Sequence, residues 1–262
     1  MRTLTVTRLR CEVDGHELVS DVSLELAAGE RLAIIGASGS GKSLTLRAMV
    51  GLLPPPLRAS GTLELDGQSF DLSQPARLGR IRGRGLALLA QSAAASLDPT
   101  RRLRDQLAEV QRRWSDPTSA SARMASVGLG ERELQAYPHQ LSGGEAQRAA
   151  LALALACQPR FLLADEPTAN LDSLAQARVL EALREAVEGA GIGLVLVSHD
   201  LALVASGCRR AMVFDGGCVV EAGAIDGLIA APQHPATRRL VAAAIAREGA
   251  LADVIGRGGA SP

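Results

Sequence analysis

The chain has 262 residues, 47% hydrophobic and 21% charged, a composition that fits a globular protein with one large core and an inserted subdomain, or with two small domains. Its formal net charge is zero, so nothing in the composition indicates nucleic acid or an anionic membrane as a partner. No stretch reaches the roughly 18 uncharged apolar residues expected of a membrane span, and no apolar signal segment opens the sequence.

Strand patterns dominate the N-terminal third of the chain. Five short runs have the alternating or β-rich composition of strands: residues 4–9, 22–26, 31–36, 62–65 and 86–89. The third run ends in a glycine-rich stretch, after which the pattern from Lys42 to Val50 becomes helical and stops at Gly51. This part therefore predicts a strand, a glycine-rich loop and a helix in direct succession.

The middle of the chain predicts helices. Helical patterns cover residues 105–114, 119–127 and 144–157. Strands then resume at 161–164 and 194–197 with a helical stretch between them, which is the alternation of a parallel sheet with crossover helices. We therefore expect an α/β core interrupted by a helical insertion, and a helical, peripheral tail beyond about residue 222.

The glycine-rich loop has the spacing of a phosphate-binding loop. It matches G-x-x-x-x-G-K-[ST] over Gly36, Ala37, Ser38, Gly39, Ser40, Gly41, Lys42 and Ser43. Glycines let backbone N–H groups point at the β- and γ-phosphates, and the start of the helix adds partial positive charge. Lys42, the single lysine of the chain, is expected to reach the phosphate oxygens, and the Ser43 hydroxyl to bind Mg²⁺. The alternative, a glycine turn that contains Gly-Lys-Ser by chance, is disfavoured by the strand–loop–helix context.

Two carboxylates, Asp165 and Glu166, directly follow the apolar run from Phe161 to Ala164. Ligands bind parallel sheets at the carboxyl ends of the strands. We expect Asp165 to hold Mg²⁺ through water and Glu166 to polarise the attacking water as a general base. An apolar run followed by Asp-Glu is a weak signal alone, and becomes a strong one beside a phosphate loop.

A pair of glycines opens the helical run that ends near Cys157. Ser142 with Glu145 three residues later is a capping box, which alone could account for both residues. A cap does not need Gly143 and Gly144, which weaken the first helical turn. Because bare N–H groups at a helix start bind anions, we favour a contact with phosphate over capping alone.

These segments together resemble the ATP-binding cassette (ABC) family. Their order is the phosphate loop, Gln91, Leu-Ser-Gly-Gly-Glu-Ala-Gln over 141–147, Leu-Leu-Ala-Asp-Glu-Pro-Thr over 162–168, Asn-Leu-Asp over 170–172 and Ser-His-Asp over 198–200. His199 alone would more often be structural than catalytic, and gains its meaning from the other motifs. The resemblance covers nearly the whole chain.

The resemblance implies an α/β fold, a RecA-like P-loop NTPase core with an N-terminal antiparallel β part and an inserted helical subdomain. It divides the chain into a nucleotide-binding domain over 1–222, with core segments 1–91 and 158–222 and a helical subdomain over 92–157. A C-terminal helical tail over 223–262 follows.

The resemblance also implies a head-to-tail dimer with two ATP molecules between the subunits. Ser142, Gly143 and Gly144, with Glu145 behind them, would contact the γ-phosphate held by the phosphate loop of the opposite subunit. The remaining implied roles are a Mg²⁺ and water sensor at Gln91, a γ-phosphate contact at His199, a bridge between the sites at Asp172 and a nucleotide contact at Leu44.

The chain departs from the family where relatives usually carry an aromatic residue that stacks on adenine. The stretch from Cys11 to Gly15 has none, so Val13 is expected to take that place. Valine supplies apolar contact without stacking, which leaves adenine selectivity open.

Three segments look like the dipeptide, oligopeptide and nickel importer branch: residues 54–61, 86–99 and 234–241. The short length is closer to the nickel or metal-chelate ATPases. The implied partners are a second ABC ATPase subunit (in a homo- or heterodimer), two transmembrane permeases and, indirectly, an extracytoplasmic solute-binding protein, with no nucleic acid. The implied location is peripheral, on the cytoplasmic face of the bacterial inner membrane. The four cysteines show no CxxC spacing and are expected to be inert thiols in a reducing compartment.

Two alternatives remain open from the sequence. A soluble ABC protein of DNA repair or translation usually needs long coiled-coil insertions or tandem cassettes, which do not fit this length. A nucleotide-binding component of the carbon–phosphorus lyase assembly resembles this branch, and the sequence separates it poorly from an importer subunit.

Overall fold

The computed structural model describes residues 2–93 and 96–257. The strands are β1 (Thr3–Val13), β2 (His16–Ala27), β3 (Arg31–Gly36), β4 (Arg58–Leu65), β5 (Gln68–Asp71), β6 (Leu86–Leu89), β7 (Phe161–Asp165), β8 (Gly193–Ser198), β9 (Arg210–Asp215) and β10 (Cys218–Ala224). The α-helices are α1 (Lys42–Met49), α2 (Pro75–Leu78), α3 (Leu103–Trp114), α4 (Ala120–Ala125), α5 (Glu131–Leu134), α6 (Gly143–Ala156), α7 (Ser173–Ala190), α8 (Leu201–Gly207), α9 (Ile225–Ala230) and α10 (Pro235–Arg257).

The strands form two sheets of different kinds. One is antiparallel, with the order β2-β1-β4-β5, and the other has the order β10-β9-β3-β8-β7-β6. In the second sheet β3, β6, β7, β8 and β9 run parallel and only the edge strand β10 is antiparallel to its neighbour. The carboxyl ends of β3 and β7 therefore lie at the same edge, which brings the loop after Gly36 close to Asp165.

Side chains of the central strand alternate between two hydrophobic cores. On β3, Ala33 and Ile35 face a core shared with the helices α3, α6 and α7. Leu32 and Ile34 face the other core, which contains α1 and the inner side of the antiparallel sheet. Because successive strand residues point to opposite faces, the parallel sheet is covered on both sides.

The helices between β6 and β7 form the predicted insertion, and α6 packs against α3 and α7. The helical tail also packs against the core, because α10 contacts α8, β9 and β3. Its start is fixed by Glu221, whose carboxylate accepts hydrogen bonds from the backbone N–H groups of Gln233 and His234 and from the Thr237 hydroxyl.

The predicted α/β architecture is confirmed, including the antiparallel part and the helical insertion. The sequence patterns did not predict the strands β5, β9 and β10 or the short helices α2, α5 and α8, and residue 222, where the tail was expected to begin, lies inside β10. All four cysteines are free thiols, and burial raises the pKa of Cys11 to about 11. Over the described residues, no helix is both long and apolar enough to span a membrane.

Candidate nucleotide-binding site

The phosphate loop lies between β3 and α1. Gly41, the residue before the helix, has φ 99°, and a Cβ there would lie 2.9 Å from Val19 Cγ2, so this position needs glycine. The Lys42 side chain is almost fully buried, and its Nζ donates hydrogen bonds to the carbonyl oxygens of Gly36 at 2.9 Å and Ala37 at 2.7 Å. The loop thus closes around its own lysine.

The phosphate loop is hydrogen-bonded to the turn between β9 and β10, which is in turn hydrogen-bonded to β2. The Gly217 N–H donates to Ser40 O at 3.2 Å, and Ser20 N–H donates to Gly217 O at 2.9 Å. The turn between β9 and β10 therefore supports the site, a role that the sequence motifs did not predict. The signal present was the Gly216-Gly217 pair between two apolar runs, which is typical of a hairpin turn.

Ser43 and Asp165 meet as the two metal-binding candidates. Ser43 Oγ donates a 2.7 Å hydrogen bond to Asp165 Oδ1. Burial raises the pKa of the Asp165 carboxyl, and the Ser43 hydrogen bond and the charge of Arg47 offset this only partly. A hydroxyl and a carboxylate are hard oxygen donors of the kind Mg²⁺ prefers, so the pair fits that ion.

Glu166 is the meeting point of the remaining catalytic candidates. Its carboxylate lies 4.0 Å from Lys42 Nζ, 3.4 Å from Gln91 Nε2 and 3.3 Å from His199 Nδ1. The Glu166 backbone has φ 42°, a conformation that non-glycine residues rarely adopt, and its N–H is bonded to Val197 O of β8. The structure therefore holds this side chain at the end of β7 in a constrained position.

A cavity of about 180 Å³ lies between these groups, lined by Ser38, Gly39, Ser40, Gly41, Lys42, Ser43, Leu44, Gln91 and Glu166. Ligand pockets usually measure roughly 300–1,000 Å³, so this cavity is one wall of a site rather than a whole one. The Ser40 hydroxyl is buried and has no hydrogen-bond partner among the described residues. An unsatisfied polar group in a phosphate loop suits a ligand that brings acceptors.

Val13 lies at the end of β1, a strand that contacts α1. Cys11, two residues before it, has its Sγ 4.0 Å from Leu44 O. Val13 is half-buried and pairs with His16 across the hairpin. Its contact with the nucleoside stays a prediction.

The segment from Ser142 to Glu145 forms a second group that does not line this cavity. The capping box is present, since Ser142 N–H donates to Glu145 Oε2 at 2.8 Å and Glu145 N–H donates to Ser142 Oγ at 3.3 Å. Ser142 and Gly143 are exposed. Asp172 caps α7 beside them, accepting a hydrogen bond from Ala175 N–H at 2.9 Å, so these candidates share one surface of the subunit.

The sequence comparisons agree with this geometry. The family model described as ABC transporter matches residues 19–169. The nickel import ATP-binding protein NikD of Pseudomonas putida is 41% identical over 246 residues, covering 91% of this chain and 94% of that protein. The peptidoglycan transport ATP-binding protein YejF of Agrobacterium fabrum is 39% identical over 86% of this chain, which spans 43% of that longer protein.

A solved structure is similar as well. It is the dimeric post-hydrolysis state of the ATP-binding cassette MJ0796 bound to ADP and Pi, with a TM-score of 0.71 and 26% identity over 85% of this chain and 98% of that one. The phosphate loop and Glu166 line one cavity, with Asp165 bonded to Ser43 and His199 next to Glu166. Together with the matched family model and the relatives, this shows that the chain belongs to the ABC transporter family, as an ATP-binding subunit that hydrolyses ATP.

Proposed function

We propose that this chain is the ATPase of a bacterial ABC importer and works as half of a dimer. The observation that carries the proposal is the convergence of Lys42, Gln91 and His199 on the Glu166 carboxylate, at the edge of the sheet where the phosphate loop ends. This arrangement places one carboxylate among the groups expected to contact a terminal phosphate and its attacking water.

In this proposal, ATP is bound by the phosphate loop and by the metal-binding pair Ser43 and Asp165. Backbone N–H groups from Gly36 to Ser43, with the Lys42 ammonium, bind the phosphates. Leu44 and Val13 contact the nucleoside side of ATP. Ser43, Asp165 and Gln91 would hold Mg²⁺, which would neutralise phosphate charge.

The hydrolytic half depends on Glu166. Its carboxylate accepts a proton from the attacking water, and Gln91 and His199 orient the water and the γ-phosphate around it. The hydrogen bond of Glu166 N–H to Val197 O keeps the carboxylate in place while the nucleotide binds. Such positioning is the main contribution that a protein makes to phosphoryl transfer.

The second half of the site comes from the neighbouring subunit. The cavity around Lys42 is small and open, and the exposed Ser142–Gly144 turn lies outside it. Head-to-tail pairing would set that turn against the γ-phosphate in the opposite subunit, with Asp172 bridging the two sites. The partner is an ABC ATPase subunit, either a copy of this chain or a related one.

The comparisons support import as the process that is powered. NikD of Pseudomonas putida is named for nickel import, and matches at nearly full length on both sides. We therefore propose import of nickel, a metal chelate or a short peptide through two permeases. The chain sits peripherally on the cytoplasmic face of the inner membrane, and a solute-binding protein on the other side delivers the cargo.

Purification from membranes tests this proposal. The tagged chain and its Glu166→Gln variant are expected to bring down the same two membrane proteins, because the substitution leaves the fold and the docking surface unchanged. ATP turnover should fall at least 100-fold in the variant while binding of a fluorescent ATP analogue is retained.

Two results would overturn different parts of it. If the tagged chain co-purifies with a soluble lyase core instead of two permeases, the importer assignment is wrong. Ordinary turnover by Glu166→Gln would remove the general-base assignment and leave the importer assignment intact.

A further inference from the structure

Two buried side-chain polar atoms lack a hydrogen-bond partner among the described residues, Ser40 Oγ and Arg148 Nε. Ser40 belongs to the phosphate loop, where the proposed ligand accounts for a free hydroxyl. Arg148 lies on α6 and takes no part in the proposed function. Buried polar groups are nearly always paired in native proteins, so this arginine needs an explanation.

Arg148 is a buried cation without a counter-ion. The residue is 6% exposed, and its side chain forms neither a hydrogen bond nor an ion pair within the described part of the chain. Burial first, and then the charge of Arg178, lowers the pKa of its guanidinium. Glu145 and Glu133 favour its charged form from a distance, but Arg132 already pairs with both, at 2.8 and 2.6 Å. An uncompensated buried charge destabilises a fold strongly.

The position of Arg148 indicates what this charge faces. It follows Gly144 by four residues, one helical turn, and helical side chains lean towards the N-terminus of their helix. A Cβ on Gly144 would lie 4.0 Å from Arg148 Nη1 and 2.9 Å from Ala175 Cβ. The guanidinium therefore lies directly behind the glycine turn, between the first turns of α6 and α7.

We infer that Arg148 is a positioning residue of the composite ATP site, a fixed positive charge that acts through the Gly143–Gly144 turn on the γ-phosphate held by the opposite subunit. The inference rests on the proposed head-to-tail dimer. The bare N–H groups at the start of α6 supply the direct contact with the phosphate. Arg148 supplies a charge behind them that solvent screens less than the charge of an exposed arginine, because the residue is only 6% exposed.

The unpaired charge then has a physical role. In the free subunit it is a destabilising feature, and a phosphate brought to the other side of the glycine turn compensates it. Closing the dimer on ATP therefore releases part of that unfavourable energy, which strengthens the dependence of pairing on the γ-phosphate. An exposed arginine at the same surface would be hydrated and screened, and would contribute little.

The test compares Arg148→Met with Arg178→Gln, both in a Glu166→Gln background so that ATP is not consumed. Arg178→Gln removes a positive charge whose field reaches Arg148 from α7, and it removes it from an exposed side chain. We measure ATP-dependent dimerisation by light scattering and the binding of a fluorescent ATP analogue to the dilute subunit. For Arg148→Met we expect at least a fivefold rise in the ATP concentration at half-dimerisation, unchanged binding by the dilute subunit and an equal or higher Tm. For Arg178→Gln we expect a change of less than twofold.

Arg148→Lys is the second variant, because it keeps the charge while changing the shape of the side chain. It should dimerise within threefold of the background protein. A low Tm for Arg148→Met, or failure of lysine to restore dimerisation, would show a structural role and overturn the inference. Dimerisation of Arg148→Met at unchanged ATP concentration would overturn it too. If the background protein itself fails to dimerise with ATP, pairing between two copies of this chain is ruled out and the inference falls with it, while the proposed pairing with a related ABC ATPase subunit is not affected.

Discussion

The two buried charged residues at the phosphate loop, Lys42 and Asp165, differ in how well hydrogen bonds and nearby charges offset the cost of burying them. Burial is the main cause of the lowered pKa of Lys42 and of the raised pKa of Asp165. Lys42 is supported by two carbonyl oxygens and by the charges of Glu166 and Asp165, whereas Asp165 accepts one hydrogen bond from Ser43. Asp165 is thus a buried carboxylate that the subunit alone stabilises poorly, as expected for a group meant to face a cation.

Asp165→Asn should therefore stabilise the subunit when no nucleotide or metal is added. The folded-state pKa of Asp165 lies above its ordinary value of 3.8, so the folded chain binds this proton more tightly than the unfolded chain. The stability that this contributes is present below the ordinary pKa and is lost as pH rises through the folded one. At neutral pH the ionised carboxylate lowers the stability of the folded subunit. Its removal should raise Tm by roughly 2–4 °C, equivalent to about 1 kcal/mol.

Thermal unfolding at several pH values measures this effect. The advantage of the Asp165→Asn variant should shrink as the pH falls towards 3.8, where the wild-type carboxyl also becomes protonated. Asp172→Asn is the matched control, since that exposed helix cap tolerates asparagine and should show no gain in Tm. An equal or lower Tm for Asp165→Asn at pH 7 would mean that the carboxylate is well compensated in the free subunit.

At the scale of secondary-structure elements, α6 combines a structural cap with a candidate binding surface. Both readings of Ser142 are compatible with the geometry, because the capping box is formed and yet Ser142 and Gly143 remain exposed. The two roles are separable by charge. Aspartate is as good an N-cap as serine, but it carries a negative charge that repels phosphate.

Ser142→Asp should fold as well as the wild type and fail in ATP-dependent activity. We expect its Tm to stay within about 2 °C, since the cap is kept, and its ATPase rate at saturating ATP to fall at least 10-fold. Ser142→Ala should show the opposite pattern for stability, because it removes the cap and should lose about 1 kcal/mol of stability. It adds no negative charge. Full ATPase activity of Ser142→Asp would leave capping as the whole role of this serine.

Much of the element order could be predicted, and the exceptions have physical causes. The strand at 31–36, the helix from Lys42 and the strand at 161–164 carry strong patterns, because they are buried or bounded by glycines. β9 was missed because its four-residue apolar run between Arg210 and Asp215 has no motif beside it of the kind that follows the runs at 31–36 and 161–164.

The candidate site was predictable as a set of residues and not as an arrangement. Motif spacing named Lys42, Asp165, Glu166 and His199, but only folding brings their atoms together across β3, β7 and β8. The left-handed backbone at Glu166 and the unpaired Arg148 have no sequence signal, since both arise from tertiary packing. Arg82 is similar: it lies in an arginine-rich stretch, yet its guanidinium donates to Val50 O and Gly51 O after α1.

At the scale of the whole molecule, the residues that we propose contact ATP fall into two groups within one subunit. The phosphate loop, Asp165 and Glu166 lie at the carboxyl edge of the parallel sheet, and Ser142 to Gly144 begin a helix of the insertion. The cavity at the first group includes no residue of the second among the described residues. A head-to-tail pair would complete each site with one group from either subunit.

Mixing two inactive variants tests this division directly. Lys42→Ala removes the ammonium of the first group and Ser142→Asp damages the second, so a pair of identical variants has two defective sites. A mixed pair has one site with both defects and one site with none, because each subunit contributes opposite halves to the two sites. Subunits that are inactive alone should therefore recover ATPase activity when mixed at equal concentrations, up to roughly a quarter of the wild-type rate if pairing is random and the sites act independently. The rate should also rise faster than linearly with protein concentration at low concentration, because pairing precedes hydrolysis. If both variants stay inactive after mixing while the wild type hydrolyses ATP at a rate per subunit that does not change on dilution, each subunit carries a complete site and the division between subunits is wrong.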